Sequence, residues 1–249
     1  MKPLIAKIKP ASGFSRVVYL VINILLPLVV YVLVRMDFVV LALAAILLSK
    51  WRMFAVRPRF WPAHIRANAV DIIVSVSLLL FMINSGSQLI QLVWVAVYMG
   101  WQVVLKPASD TLMISIQALV GLLFGLMAIF VAWGDGPLYG LVVLTGTVCY
   151  LAARHFFDSF DEPYAKLLSY IWGYFGAAMT WVLGHWLLYY GVVAQPVLLL
   201  LAIGYGLAAL YYLDHHDRLT KGLRRQFVFI MVAIIVIVVI FSDWGDKIV

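Results

Sequence analysis

Two short segments of this chain concentrate the side chains able to hold protons or metal ions. One runs Arg154-His155-Phe156-Phe157-Asp158-Ser159-Phe160-Asp161-Glu162-Pro163, and the other reads Asp214-His215-His216-Asp217-Arg218. Between them they offer His155, His215 and His216 with Asp158, Asp161, Glu162, Asp214 and Asp217. Imidazoles beside carboxylates suit a divalent metal, and a metal so held could bind a phosphate or pyrophosphate group. The same residues also have a structural reading. Acids just ahead of a helix favour its positive end, and Asp214 and Asp217 can pair with Arg218, Lys221, Arg224 and Arg225. The sequence therefore marks a polar cluster but requires no resident metal and no cofactor.

A third segment is chemically different. Lys50, Arg52, Arg57, Arg59 and Arg66 lie in a stretch, 50–66, without any acid, interleaved with Trp51, Phe54, Phe60 and Trp61. Pro58 and Pro62 forbid one continuous helix. Basic side chains near an anionic bilayer surface contribute about 1 kcal/mol each, so this loop reads as a contact for anionic lipid headgroups.

Two resemblances touch these segments. The spacing from Lys50 to Arg57-Pro58 is similar to the first motif of the lipid phosphatases that include type 2 phosphatidic acid phosphatases. The histidine expected in their second motif is replaced here, where Asn84-Ser85-Gly86-Ser87 offers serine. Membrane prenyltransferases resemble the chain in having about nine helices with two Asp-rich cytoplasmic motifs. Asn68-Ala69-Val70-Asp71 and Asp158–Glu162 stand in the corresponding places, but Ile72-Ile73-Val74-Ser75 adds no further aspartate. Neither resemblance carries family membership. Together they define an alternative reading, a membrane enzyme acting on a lipid phosphate or pyrophosphate at the cytoplasmic face.

The elements that must position these segments are apolar. The 249 residues are 65% hydrophobic and 12% charged, against about 25% charged in an ordinary soluble domain. Apolar runs cover Val17–Val34, Phe38–Val56, Ala67–Ile83, Gln88–Leu105, Thr111–Trp133, Leu138–Ala153, Lys166–Tyr190, Pro196–Leu213 and Phe227–Ser242. A helix crossing a bilayer needs about 20 such residues. The expectation is an all-α, polytopic transmembrane helix bundle of about nine spans (8–9), forming one integral membrane domain over 1–249 with a basic N-terminal segment at 1–16.

Charge sets the orientation. With the N-terminus cytoplasmic and the C-terminus outside, sixteen of the 18 Lys and Arg fall on the inner side, leaving only Arg35 and Lys247 outside. That bias follows the positive-inside rule. It also explains the net charge of +7 without nucleic acid. The first run closes on Val34-Arg35-Met36 with no small-residue cleavage site, so it reads as a retained helix.

The spans themselves are poor in chemistry. No lysine lies near the middle of a run, which disfavours a retinal-type Schiff base. Asp71 is the acid closest to mid-depth, a turn or two from the inner end, so proton relays are not evident. His185 falls near the outer interface. Asn23, Ser75, Ser77, Gln91, Ser115, Gln117, Thr145 and Thr147 should face the interior. Gly173, Ala177, Thr180 and Gly184 share one helix face, and Gly121 with Gly125 forms a G-x-x-x-G; such stripes let helices approach closely in lipid, within the chain or between copies. The resulting expectation is a permease-like carrier of a small neutral or lipid molecule, or a membrane scaffold. Anionic inner-leaflet lipids would be partners, and the compact chain without sorting signals suggests a bacterial cytoplasmic membrane.

Overall fold

Apolar runs of this length satisfy their own backbone hydrogen bonds only as helices when water is scarce, and the computed structural model is all-helical. It describes residues 14–186, 189–190 and 193–242. The side chains of residues 14–20, Arg52, Tyr189 and Tyr190 also lie outside the description, as do Lys2, Lys7 and Lys9 of the basic N-terminal segment, and Asp243, Asp246 and Lys247.

Helices α1 (Phe14–Arg35) and α2 (Val39–Ser49) form a hairpin. Two 3-10 turns, Trp51–Met53 and Pro58–Phe60, lead to the short α3 (Trp61–Ala67) and then α4 (Ala69–Ile83). α5 (Gln88–Gly100) continues through a π-helical turn at Trp101–Leu105. The remaining helices are α6 (Thr111–Trp133), α7 (Leu138–Asp158), α8 (Ala165–Gly184), α9 (Gln195–His215) and α10 (Lys221–Phe241). A two-residue ladder, Tyr189–Tyr190 with Val193–Ala194, closes the α8–α9 connection.

Local chemistry sets several of these ends. The Ser87 hydroxyl accepts from the Ile90 N–H at 3.3 Å, and the Thr220 hydroxyl from the Leu223 N–H at 3.2 Å, capping α5 and α10. Asp37, Asp161 and Asp217 take positive φ of 60°, 51° and 53°. After Asp37 and Asp217 the next N–H reaches back five residues, Phe38 to Leu33 O at 2.9 Å and Arg218 to Leu213 O at 2.8 Å. These are Schellman closures with aspartate in the position glycine usually fills. Asp217 thus serves the turn that ends α9, and Asp161 lies in the turn that follows α7.

Two helix groups meet along α4 and α6. One core gathers Val30, Ile46, Val74, Leu78, Met82 and Tyr98 from α1, α2, α4 and α5. The other gathers Leu122, Leu126, Phe130, Leu141, Cys149 and Leu200 from α6, α7 and α9. Gly121 and Gly125 set the junction: a Cβ on Gly121 would lie 2.8 Å from Val70, and one on Gly125 2.8 Å from both Ile73 and Val148. α7 and α8 approach closest, with Gly173 against the Gly146 carbonyl at 3.0 Å and Gly176 against Cys149 Sγ at 2.5 Å from where its Cβ would stand. The small-residue face of α8 is therefore used within the chain. α10 packs chiefly on α9, and Val238 is its one buried residue.

Among the described residues, five helices are long and apolar enough to cross a membrane: Gln88–Leu105, α6, α7, α9 and α10, with α1 counted there only over Val21–Arg35. A sixth span arises if α4 joins the preceding Pro58–Ala67 segment, bent from it by 66°. The second expected span is cut short. α2 has 11 residues, about 16 Å at 1.5 Å per residue, against a hydrocarbon core of about 30 Å. α8 has 20 residues, but its Gly, Tyr, Trp and Thr content makes it less apolar than the five.

Candidate functional site

The chemistry at one end of the bundle centres on Asp71 in the first turn of α4. Its Oδ1 accepts the Trp101 Nε1–H at 3.0 Å. Its Oδ2 is paired with the ammonium of Lys50, the residue that caps α2, and with that of Lys106 at 3.0 Å. Three backbone events bring these groups together. α2 stops at Ser49, leaving Lys50 at the bundle end. The break at Asn68 starts α4 two residues before Asp71. The π turn rotates Trp101 and Gln102 inward, both buried, and carries Lys106 round to the same carboxylate. Such widened turns are frequent at functional sites.

Around this cluster the donors outnumber the acceptors. Lys106 Nζ also donates to Gln102 Oε1 at 3.0 Å. Gln102 Nε2 and the Tyr98 hydroxyl, on fully buried side chains, make no hydrogen bond of good geometry and interact only weakly with each other. The Lys50 side chain is 4% exposed, that of Asp71 10% and that of Lys106 29%, so the cluster opens on the Lys106 side.

Gln117 of α6 ties the same end to α7. Its amide donates to Leu105 O at 2.6 Å and Ala108 O at 3.0 Å, while its Oε1 lies 3.0 Å from His155 Nε2. Farther across, an aromatic cluster joins the α7–α8 loop to the end of α9. Phe156, Phe157 and Phe160 pack on Tyr211 with ring centroids 5.2–5.7 Å apart. His215 meets Phe160 edge-on at 4.9 Å, and His216 stacks on Tyr212 at 4.2 Å. The Tyr211 hydroxyl donates to Glu162. That bond, together with the Tyr164 N–H, holds the Glu162 carboxyl below its ordinary 4.5.

Beneath these rings a groove of about 600 Å³ opens between α6, α7, α8 and α9. Leu122, Phe156, Trp172, Phe175, Gly204 and Ala208 are among its walls, and Tyr211 stands at its polar end.

The expected polar cluster is thus divided by the fold. Glu162 and His215 come together around Tyr211. His155 turns inward to Gln117, and Asp158 pairs with Arg154 at 2.9 Å one helical turn away. Asp161, Asp214, His216 and Asp217 are exposed. Among the described residues, no three of His, Cys, Asp and Glu gather as a metal site would require. A metal held jointly by the two segments therefore has no donor set there. In the prenyltransferase-like reading Asp71 would face a metal; here two ammonium groups and an indole N–H occupy its carboxylate.

Within the basic loop, Arg57, Arg59 and Arg66 are exposed, as headgroup contacts must be. The Arg59 guanidinium lies 4.5 Å over the Phe60 ring, and Trp61 Nε1 donates to Val56 O at 3.0 Å. Lys50 departs from its group: it points into the protein to Asp71 and does not reach a headgroup. The Arg52 side chain lies outside the described residues. The interior polar residues also divide. Gln91 crosses to Met82 O at 3.0 Å, but Ser75 and Ser115 bond back to carbonyls of their own helices. Thr147 is exposed and does the same.

Sequence reasoning missed Lys50, Trp101, Gln102 and Lys106 as one cluster. The signal was a lysine directly after an apolar run, an aspartate opening another, and a Trp-Gln pair four to five residues before Lys106. Nothing in their spacing joins three separate helices. Comparison of the chain with protein-family models, curated proteins and solved structures finds no match.

Proposed function

We propose that this is a multi-spanning integral membrane protein that acts as a non-catalytic carrier of an apolar or lipid-like molecule. The observation that carries this reading is the groove of about 600 Å³ between α6, α7, α8 and α9. Its walls are hydrocarbon and aromatic rings, and its one polar end is marked by Tyr211 and Glu162. An acyl or prenyl chain matches such walls by dispersion and exclusion of water. A small ion would find no ligands along them.

The membrane setting rests on the five long apolar helices and on the many large apolar side chains they expose. The orientation we favour keeps the N-terminus and the basic loop cytoplasmic and the C-terminus outside, in a plasma membrane of bacterial type. Nine spans then require that α1, α2, α8 and the bent α3–α4 pair also cross. Arg57, Arg59 and Arg66 would meet anionic inner-leaflet lipids.

The test is transfer of a fluorescent lipid between leaflets of proteoliposomes. The protein should accelerate it, and Ala208→Phe, which fills the groove, should slow it about tenfold, the effect of 1.4 kcal/mol. Equal rates with and without the protein, or no effect of Ala208→Phe in a folded protein, would leave the scaffold reading. The enzyme alternative would instead be supported by release of phosphate from a lipid phosphate or pyrophosphate.

A further inference from the structure

Charge and hydrogen-bond accounting at Asp71 do not close. Two ammonium groups, Lys50 and Lys106, share one carboxylate, leaving an excess of one positive charge in a largely buried place. The carboxylate and amide oxygens are engaged: Asp71 Oδ1 by Trp101, Oδ2 by both lysines, and Gln102 Oε1 by Lys106. Donors remain. An ammonium carries three N–H bonds, and Lys50 and Lys106 do not spend all of theirs on these partners. The Gln102 amide nitrogen, on a side chain 0% exposed, makes no hydrogen bond of good geometry and has only a weak interaction with the Tyr98 hydroxyl. A buried charge without a counter-charge is costly, and a buried amide without a good hydrogen bond adds to that cost.

We propose that the Lys50–Asp71–Lys106 cluster, with Gln102, is a binding site for a phosphate group. One multi-oxygen anion answers both deficits at once. It supplies the missing negative charge, and its several oxygens accept from separate donors on α2 and α5. A halide would answer the charge but has no set of separate acceptor atoms to meet donors held on two helices. Asp71 is the positioning residue, holding the two ammonium groups together against their repulsion. Entry is from the Lys106 side, the most open of the three. The exposed Arg57, Arg59 and Arg66 of the neighbouring loop raise the local concentration of anions. The phosphate can belong to a lipid phosphodiester or to a free phosphate. The site stands apart from the apolar groove and does not depend on it.

The experiment uses the full chain purified in a maltoside detergent. Inorganic phosphate and dihexanoyl phosphatidylglycerol are each titrated by calorimetry. Saturable binding of one or both is expected. Inorganic phosphate alone would identify a free-phosphate site, and phosphatidylglycerol alone a lipid site. Lys106→Gln and Gln102→Ala should each weaken the binding about tenfold or more, and the doubly substituted Arg224→Gln, Arg225→Gln protein, altered at the exposed start of α10, should bind as the parent does. Absence of saturable binding to either probe, unchanged affinity in both site variants, or equal loss in the α10 variant would overturn the proposal. If the site variants do not fold, acylation of Lys106 in the parent decides. Protection by the probe supports the site, and equal labelling with and without it overturns the assignment. Loss of this binding leaves the lipid-transfer rate set by the groove untouched, so the two readings fail separately.

Discussion

The seam between α7 and α8 and the junction of α2, α4 and α5 solve the same problem by opposite means. At the seam, glycines remove side chains until backbones touch, and contact is made by shape alone. At the junction, charged groups are brought inside and held by one another. Shape tolerates no added atom but imposes no demand on charge. The ionic junction tolerates small changes of shape but fails if a single partner is removed. In lipid, close packing carries much of helix association, while buried charges are costly unless paired. A protein of this composition keeps such a junction at a cost that packing alone would not impose.

Substitutions can break or sharpen this contrast. The largest effect is expected from Asp71→Ala, which strands the buried Lys50 ammonium and takes the partner from the half-buried Lys106, and should lower stability by about 3–5 kcal/mol. Thermal unfolding in detergent measures it. Adding Lys50→Met to Asp71→Ala should restore part of the loss; a double variant as unstable as the sum of the singles would show that the pair does not act as a unit.

Next comes Gly173→Val at the seam. Its Cβ would meet the Gly146 carbonyl at 3.0 Å and Tyr150 Cβ at 2.9 Å, so backbone must move, and the expected loss is about 2–3 kcal/mol. Full stability in the same unfolding assay would mean that the two helices can part freely. Gly100→Ala makes the matching control. It has open space where the new methyl would stand, and alanine should stabilise that helical position by about 0.5–1 kcal/mol. A loss there would mean that the π turn after Gly100 needs the glycine.

The smallest effect lies outside both regions. Glu162 has its carboxyl held low by the Tyr211 hydroxyl and the Tyr164 N–H. The stabilisation from a depressed carboxyl is present above the ordinary glutamate value of 4.5 and is lost as pH falls through the lower folded value. Near-ultraviolet circular dichroism of the aromatic cluster should therefore hold constant down to that range and change only below it. Glu162→Gln should remove that acid transition. Persistence of the transition in Glu162→Gln would assign it to another group.

Much of the helical architecture was legible from residue order. Thr111–Trp133 is a helix with the bounds its apolar run implies, because hydropathy and helix periodicity are local properties. α2 was not legible: the apolar run continues to Val56, but the helix stops at Ser49, where Lys50 turns to Asp71. That reversal depends on a residue 21 positions away. The candidate polar residues show the same division. Glu162 and His215 meet because the α7–α8 loop reaches Tyr211 near the end of α9, whereas Asp161 and Asp217 go to left-handed turns that only the backbone reveals.

Residue order alone determined that the chain forms long apolar helices with its basic groups at their ends and in the connections between them, since both follow from the solvent preference of each side chain in turn. Which polar groups became neighbours was decided only in three dimensions. Lys50, Asp71, Trp101 and Lys106 lie on three helices, and their pairing rests on where α2 ends, where α4 begins and how the π turn rotates α5. Pair energies inside a protein depend steeply on distance and burial, and neither exists until the helices have packed.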